Sequence, residues 1–112
     1  MDERLFSMEA EFLKALAHPT RLRILEHLRE GEKCVCKFTE DLDMEQSNVS
    51  QHLAVLRRQA IVSSRKEGQN VIYMVDQPEI YKILDMVKEV LVSQVNASLA
   101  MLQKSANNKG GE

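Results

Sequence analysis

The polar and apolar residues from Asp43 to Leu56 alternate with the period of an α-helix. Val49, Leu53 and Leu56 follow one another at spacings of four and three, which places them on one face that must be buried. The other face carries short amide and hydroxyl side chains near the start of the helix, namely Gln46, Ser47, Asn48, Ser50 and Gln51. Such groups can pair with base edges in a major groove, whereas a plain polar surface helix is the alternative.

Three helices are predicted ahead of this one, over residues 3–17, 19–30 and 34–42. Pro19 separates the first two and starts the second well. On the second helix we expect Leu22 to be buried and Arg21 to be exposed. Asp43 and Met44 make a tight turn into the polar helix, whose N-cap is Asp43 or Glu45, and Asp43 with Gln46 fits a capping box. Two short helices joined by a turn form a helix-turn-helix pattern.

The periodicity changes after Gln59, because residues 61–75 are rich in β-branched and aromatic side chains around a central Gly68. This pattern predicts a β-hairpin with Gly68 in its turn. Arg65 and Lys66 at the tip would reach phosphate or a minor groove beside the polar helix, and Arg57 at the far end of that helix also suits phosphate. The predicted fold is therefore mainly α with a small β-hairpin: a winged helix-turn-helix of about five helices and a two-stranded wing.

A last helix is predicted from about Pro78 to Gln103. Its apolar residues cover more of the circumference than packing within one domain requires. We therefore expect a homodimer through the N- and C-terminal helices, which would place two polar helices one DNA turn apart, roughly 34 Å. Packing inside a single-chain bundle is the alternative. Residues 1–104 are expected to form the DNA-binding and dimerisation domain, and residues 105–112 a flexible tail.

Composition narrows the class of protein. The chain of 112 residues suits one domain, and its net charge of −2 argues against a generic nucleic-acid binder. The positive charge is nevertheless concentrated: residues 46–75 hold four Lys and Arg against one acidic residue, while residues 1–45 hold seven against eleven. No apolar run approaches the roughly 20 residues of a membrane span. We expect a cytoplasmic protein with no membrane partner.

Four motifs together resemble the ArsR/SmtB family of dimeric winged-helix repressors, over roughly residues 8–102. They are AHPTRLRIL at 17–25, KCVCKFTEDL at 33–42, QSNVSQHLAVLR at 46–57 and SRKEGQNVIYMV at 64–75. The resemblance implies a repressor that binds double-stranded operator DNA. It places the operator contacts on Gln46, Ser47, Ser50, Gln51 and His52, and the wing contact on Arg65.

The two cysteines raise the question of an inducer. Cys34 and Cys36 lie where arsenite- and antimonite-responsive members of the family carry a CVC motif, which implies As(III) or Sb(III) as inducer ion and no constitutive cofactor. Soft thiolates suit such ions. On a regular helix the two side chains would point about 200° apart. An ion bridging both sulfurs would then distort the first turn of the third helix and weaken DNA binding.

Departures from the family patterns keep other functions open. Thr39 stands where many arsenic-responsive members have a third Cys, so a third ligand would be a small thiol, hydroxide or a group of a second subunit. The zinc ligands of the last helix are replaced, except for Asp85. A regulator without a metal inducer, either constitutive or thiol-redox responsive, is the alternative function. A dithiol oxidoreductase is disfavoured because the CxxC spacing and βαβ pattern are missing, so no enzyme is expected.

Overall fold

Five helices and three short strands follow one another along residues 2–110, which are the residues that the computed structural model describes. In chain order they are α1 (Glu3–Leu16), α2 (Pro19–Leu28), β1 (Lys33–Cys34), α3 (Val35–Asp41), α4 (Gln46–Arg58), β2 (Val62–Glu67), β3 (Asn70–Val75) and α5 (Glu79–Gly110). The chain divides after Gln77 into two units, the first holding α1 to β3 and the second holding α5. The winged helix-turn-helix prediction is confirmed.

Local sequence explains where the first helices begin. Asp2 caps α1, since its Oδ1 accepts a hydrogen bond of 3.0 Å from the backbone N–H of Arg4. His18 caps α2 in the same way, with its Nδ1 accepting from Thr20 N–H at 3.1 Å. Pro19 follows as the first helical residue, where a missing N–H costs nothing. His18 and Pro19 therefore separate the two helices as the sequence predicts.

The core of the first unit fixes the orientation of α4. Val49, Leu53 and Leu56 are each 0% exposed, which confirms the predicted buried face. They belong to a larger set of fully or nearly buried apolar residues drawn from α1 to β2: Ala15, Leu16, Ile24, Leu25, Leu28, Phe38, Ile61 and Val62. Burying this stripe turns the amide and hydroxyl face of α4 to the surface.

The turn before α4 differs in one detail from the prediction. Glu45 is the N-cap residue and makes no side-chain capping bond, so the capping box of Asp43 with Gln46 is wrong. Asp43 instead adopts a positive φ of 52° within the turn. A short polar side chain tolerates this left-handed geometry better than most, which explains an Asp at the tight turn between α3 and α4.

The wing contains a strand that the sequence does not predict. The sheet has the order β1-β3-β2 and is antiparallel, with Lys33 and Cys34 of β1 opposite Tyr73 and Ile72 of β3. The wing is therefore three-stranded, and α3 begins after Cys34 rather than at it. A strand of two residues has no periodicity of its own, and its partner lies almost forty positions further along the chain.

The helix α5 forms the second unit and continues beyond its predicted end at Gln103, to Gly110. Ile80 and Leu84 are buried, whereas most of the apolar residues that follow are exposed. The flexibility expected for residues 105–112 stays a prediction, although residues 105–110 are helical and residues 111–112 lie outside the described part. Among the described residues, no helix is long and apolar enough to cross a membrane.

Phe38→Ala should lower the free energy of unfolding by about 3–5 kcal/mol. Phe38 is fully buried in α3, and its ring meets the ring of His27 edge-on with centroids 5.4 Å apart. Urea unfolding followed by circular dichroism measures the change. Lys37→Ala, at the exposed neighbouring position, is the matched control and should stay within about 0.5 kcal/mol. A loss of less than 1 kcal/mol for Phe38→Ala, roughly the lower edge of core effects, would contradict the packing described.

Candidate nucleic-acid interface

The outer face of α4 is open to solvent. The five predicted base-reading residues are all exposed: Gln46, Ser47, Asn48, Ser50 and Gln51. Within the described part of the chain, none of these side chains forms a hydrogen bond with the protein. Their donors and acceptors are thus available to an external partner without breaking an internal contact. Arg57 and Arg58 are exposed at the end of the same helix, and the Nε of Arg58 lies 3.4 Å from the carbonyl oxygen of Ala54.

His52 does not belong to this open face. It is half-buried, its ring centroid lies 4.5 Å from that of His18, and its Nδ1 lies 3.2 Å from Nη1 of Arg21. An arginine can only donate, so Nδ1 must accept, and the neutral ring then carries its proton on Nε2. The structure therefore places His52 at the junction of α2 and α4, where its ring contacts both His18 and Arg21, and its contact with DNA stays a prediction.

Arg21 connects three helices through one guanidinium group. Its Nε donates to the carbonyl oxygen of Ala15 at 2.6 Å, and its Nη2 donates to that of Lys14 at 3.2 Å, at the end of α1. The third nitrogen reaches His52 on α4. The expectation of an exposed Arg21 and a buried Leu22 is wrong: Arg21 is half-buried and Leu22 is 38% exposed. A helical pattern alone does not reveal that the carbonyls ending α1 need a donor.

The surroundings of His52 lower its pKa below the ordinary value of 6.5. The largest cause is burial, which disfavours the charged imidazolium, and the next causes are the nearby His18 and the positive charge of Arg21. A protonated His52 would also lose the ability to accept from Arg21. Protonation thus opposes the contact that joins α1 and α2 to α4.

Two basic residues, Arg65 and Lys66, lie next to each other on the wing, and Arg65 is held by carboxylates. Arg65 and Lys66 are both exposed at the end of β2. The guanidinium of Arg65 is held by two carboxylates, Glu32 just before β1 and Glu67 at the end of β2. Hydrogen bonds to Glu32 and then to Glu67 raise the pKa of Arg65, and the same bond to Arg65 lowers the pKa of Glu32. Glu32 is a functional candidate that counting charges along the sequence does not identify.

The cysteines form a disulfide, with Cα atoms 5.2 Å apart. Cys34 has the extended backbone of an N-cap residue, φ −68° and ψ 148°, and its Sγ accepts from the backbone N–H of Cys36 at 3.1 Å. The expectation that the two sulfurs diverge by about 200° is wrong, because Cys34 lies outside the helix. The sulfurs meet without any distortion of α3, so the predicted unwinding of its first turn is not required.

The cysteine pair opens onto a pocket of about 290 Å³. Its walls include the start of α4 and the turn of the wing, with these residues among its lining: Cys34, Cys36, Gln46, Ser50, Asn70 and Tyr73. Among the described residues, no three His, Cys, Asp or Glu side chains come together as a set of metal ligands. The protein thus supplies two sulfurs, beside two of the exposed residues of α4.

Comparison with known proteins gives consistent results. A profile described as "Bacterial regulatory protein, arsR family" matches residues 18–64, from the N-cap of α2 into β2. The chain is 40% identical over 102 residues to the uncharacterized HTH-type transcriptional regulator Rv0081 of Mycobacterium tuberculosis (strain H37Rv), which covers 90% of each chain. The crystal structure of Rv0081 matches with a TM-score of 0.79 and 39% identity, over 88% of this chain and 99% of that one.

Two further relatives have more informative descriptions. The HTH-type transcriptional repressor SmtB of the same mycobacterial strain is 37% identical over 78 residues, or 69% of this chain and 58% of SmtB. The solution NMR structure of Mb0332 from Mycobacterium bovis is described as a homodimeric winged helix-turn-helix DNA-binding domain. It matches with a TM-score of 0.75 and 26% identity, over 87% of this chain and 93% of that one. The descriptions of these relatives name transcriptional repression and DNA binding, and the exposed amides and hydroxyls of α4 fit that class of protein.

The pKa shift of His52 predicts a pH dependence of stability. Because its pKa is lower in the folded protein, the unfolded chain binds the proton more tightly. The stabilisation is thus fully present above about pH 6.5, the ordinary value, and is lost as the pH falls from there through the folded pKa. Denaturant unfolding of the wild type and of His52→Gln at a series of pH values between about 8 and 5 should show a smaller decline for the variant. Identical slopes for the two proteins would contradict the assignment.

Proposed function

The chain belongs to the ArsR family of bacterial transcriptional regulators, and from that membership we propose that it is an operator-binding repressor released by a thiophilic ion. In this proposal a homodimer holds the operator, and Cys34 and Cys36 capture As(III) or Sb(III) as the release signal. The supporting observations differ for the DNA, the dimer and the ion.

Operator binding rests on one observation above all. The helix α4 has a stripe that is 0% exposed on one side and an uninterrupted set of exposed amides and hydroxyls on the other. Gln46, Ser47, Ser50 and Gln51 would pair with base edges, because their side chains can donate and accept as each base requires. Asn48, whose amide is exposed on the same helix, would also pair with base edges, while Arg57, Arg65 and Lys66 would contact the backbone of the duplex. His52 would act through the position of α4.

Dimerisation is supported by apolar surface on both terminal helices. On α1 the side chains of Leu5, Phe6, Met8 and Leu13 are 44–62% exposed. On α5 a similar row remains open, with Ile83, Val87, Val90 and Leu91 among its members. On each helix these exposed apolar side chains recur along the element, and monomeric proteins rarely leave large apolar patches exposed. A second copy would cover this surface, as the homodimeric description of Mb0332 suggests for that relative.

The ion would bind beside the DNA-reading residues. Two thiolates from the reduced cysteine pair are soft ligands that suit trivalent arsenic and antimony. The pocket between the pair and α4 leaves room for a third ligand, such as a small thiol or hydroxide. An ion with its ligand in this pocket would lie against Gln46 and Ser50. Release would then come from interference at the outer face of α4, where the base-reading residues lie, without unwinding of α3.

A thiol-redox regulator is the second candidate, and the disulfide favours it. Oxidation joins the two sulfurs and passes two electrons and two protons to an oxidant. The bonded and reduced forms would differ at the wall of the same pocket. The two candidates therefore share a site and differ in the chemical signal.

Gln51→Ala should weaken binding to the operator by about 1–3 kcal/mol, because one base would lose its paired amide. The operator can be selected from a random duplex library with the wild-type protein, and binding measured by fluorescence anisotropy at fixed salt. Gln77→Ala changes another exposed amide outside α4 and is the control. Equal losses on the selected operator and on a mixed-sequence duplex would remove Gln51 from base recognition.

Cys34→Ser should bind the operator as the wild type does but no longer dissociate when arsenite is added in reducing buffer. Thr39→Ala, which changes the neighbouring hydroxyl and leaves both sulfurs, should still dissociate. An arsenite titration followed by anisotropy measures both variants. Diamide, added to the reduced protein after the reducing agent has been removed, tests oxidation of the two thiols. Wild-type protein that stays on the operator in arsenite but dissociates from it in diamide would favour the thiol-redox regulator over the ion-responsive one.

A further inference from the structure

We infer that Glu32 sets the strength with which the wing binds DNA, by competing with phosphate for the guanidinium group of Arg65. The inference rests on the proposed function, since it assigns Arg65 to phosphate. It adds Glu32, which lies outside α4 and outside the strands of the wing, to the determinants of DNA binding.

The contact occupies the binding edge of the guanidinium. Nη1 of Arg65 donates to Oε2 of Glu32 at 2.8 Å, and Nη2 donates to Oε1 at 2.5 Å. This is the paired, parallel geometry with which an arginine also holds a phosphate. The Nε and Nη2 atoms also lie 3.3 and 3.0 Å from Oε2 of Glu67. All three nitrogens of Arg65 therefore already face carboxylates.

The sheet explains why a residue before β1 can reach β2. Cys34 of β1 and Arg65 of β2 both lie opposite Ile72, on either side of the central strand β3. Glu32 comes two residues before Cys34, and the guanidinium reaches it by crossing β3 beside Met74, with Nη1 3.9 Å from the Met74 Sδ. The unpredicted strand β1 is thus what brings this carboxylate to the wing.

Binding to Glu32 and binding to phosphate exclude each other, because both use the same two donors. In the absence of DNA, the guanidinium of Arg65 is paired with the carboxylates of Glu32 and Glu67, so these three side chains together carry a net negative charge. This charge would repel the phosphates of an approaching duplex. Release of Glu32 leaves a carboxylate that must attract a cation from solution. DNA binding at the wing is thereby weakened, and fewer ions are released overall.

The contact can yield to DNA because it lies in solvent. The side chains of Arg65 and Glu32 are 45% and 48% exposed, and exposed ion pairs contribute little to stability. Glu32 should therefore tune the affinity and not abolish binding.

The test compares Glu32→Gln with Glu30→Gln on a mixed-sequence duplex of about 30 base pairs, by anisotropy at several salt concentrations. A phosphate contact does not depend on sequence, so this probe requires no operator. Both substitutions remove one negative charge, but Glu30 pairs with Lys33 at 3.0 Å and not with Arg65. Glu32→Gln should bind about 2- to 5-fold more tightly than Glu30→Gln. Its affinity should also fall more steeply with salt, by up to about one ion.

A double-variant cycle separates a direct effect of Glu32 from one through Arg65. In an Arg65→Ala background, Glu32→Gln should differ from Glu30→Gln by nothing measurable. Equal effects of the two glutamine variants, or a Glu32→Gln effect that persists without Arg65, would overturn the inference and leave the proposed function standing. Wild-type protein that binds no duplex would overturn both. Glu32→Ala repeats the comparison, and urea unfolding of each variant verifies that it is folded.

Discussion

Burial of one apolar stripe on α4 is the constraint on which the rest of the structure depends. Val49, Leu53 and Leu56 lose all contact with solvent, so the rotation of the helix about its axis is determined by the core. The opposite face of α4 therefore presents its amides and hydroxyls to solvent. Hydrophobic packing positions the outer face of α4, and it does so without using any of the amides and hydroxyls that the proposed function assigns to DNA.

Polar contacts complete that positioning at the ends of the helices. The guanidinium of Arg21 satisfies two carbonyls at the end of α1 and reaches the ring of His52 on α4. Because the ring must accept, the contact requires a neutral His52. Packing thus determines the rotation of α4, while this hydrogen-bonded junction joins it to α1 and α2 and makes the arrangement sensitive to acid.

The distribution of charged residues along this chain is more informative than its net charge. A chain with a net charge of −2 can still carry local positive charge, because residues 46–75, which span α4, β2 and β3, hold four Lys and Arg against one acidic residue. The carboxylate of Glu32 offsets part of this positive charge at the wing, where it pairs with Arg65. Cys34 lies on β1, two residues after Glu32, and the pocket beside it is also lined by the start of α4 and by the wing. The cysteine pair, the wing and the start of α4 therefore share one region of the first unit.

Local patterns in the sequence determined the helices, the hairpin, the buried stripe of α4 and the polar face opposite it, because helical period and turn residues act over a few positions. Family motifs also identified the candidate DNA contacts and the cysteine pair. Only the tertiary structure decided the strand β1, the half-buried place of Arg21, the meeting of the two sulfurs and the hold of Glu32 on Arg65. The contacts of Arg21 with His52 and of Arg65 with Glu32 join residues 31 and 33 positions apart. Local periodicity carries no information over such separations. These contacts form because packing of the core brings whole elements together.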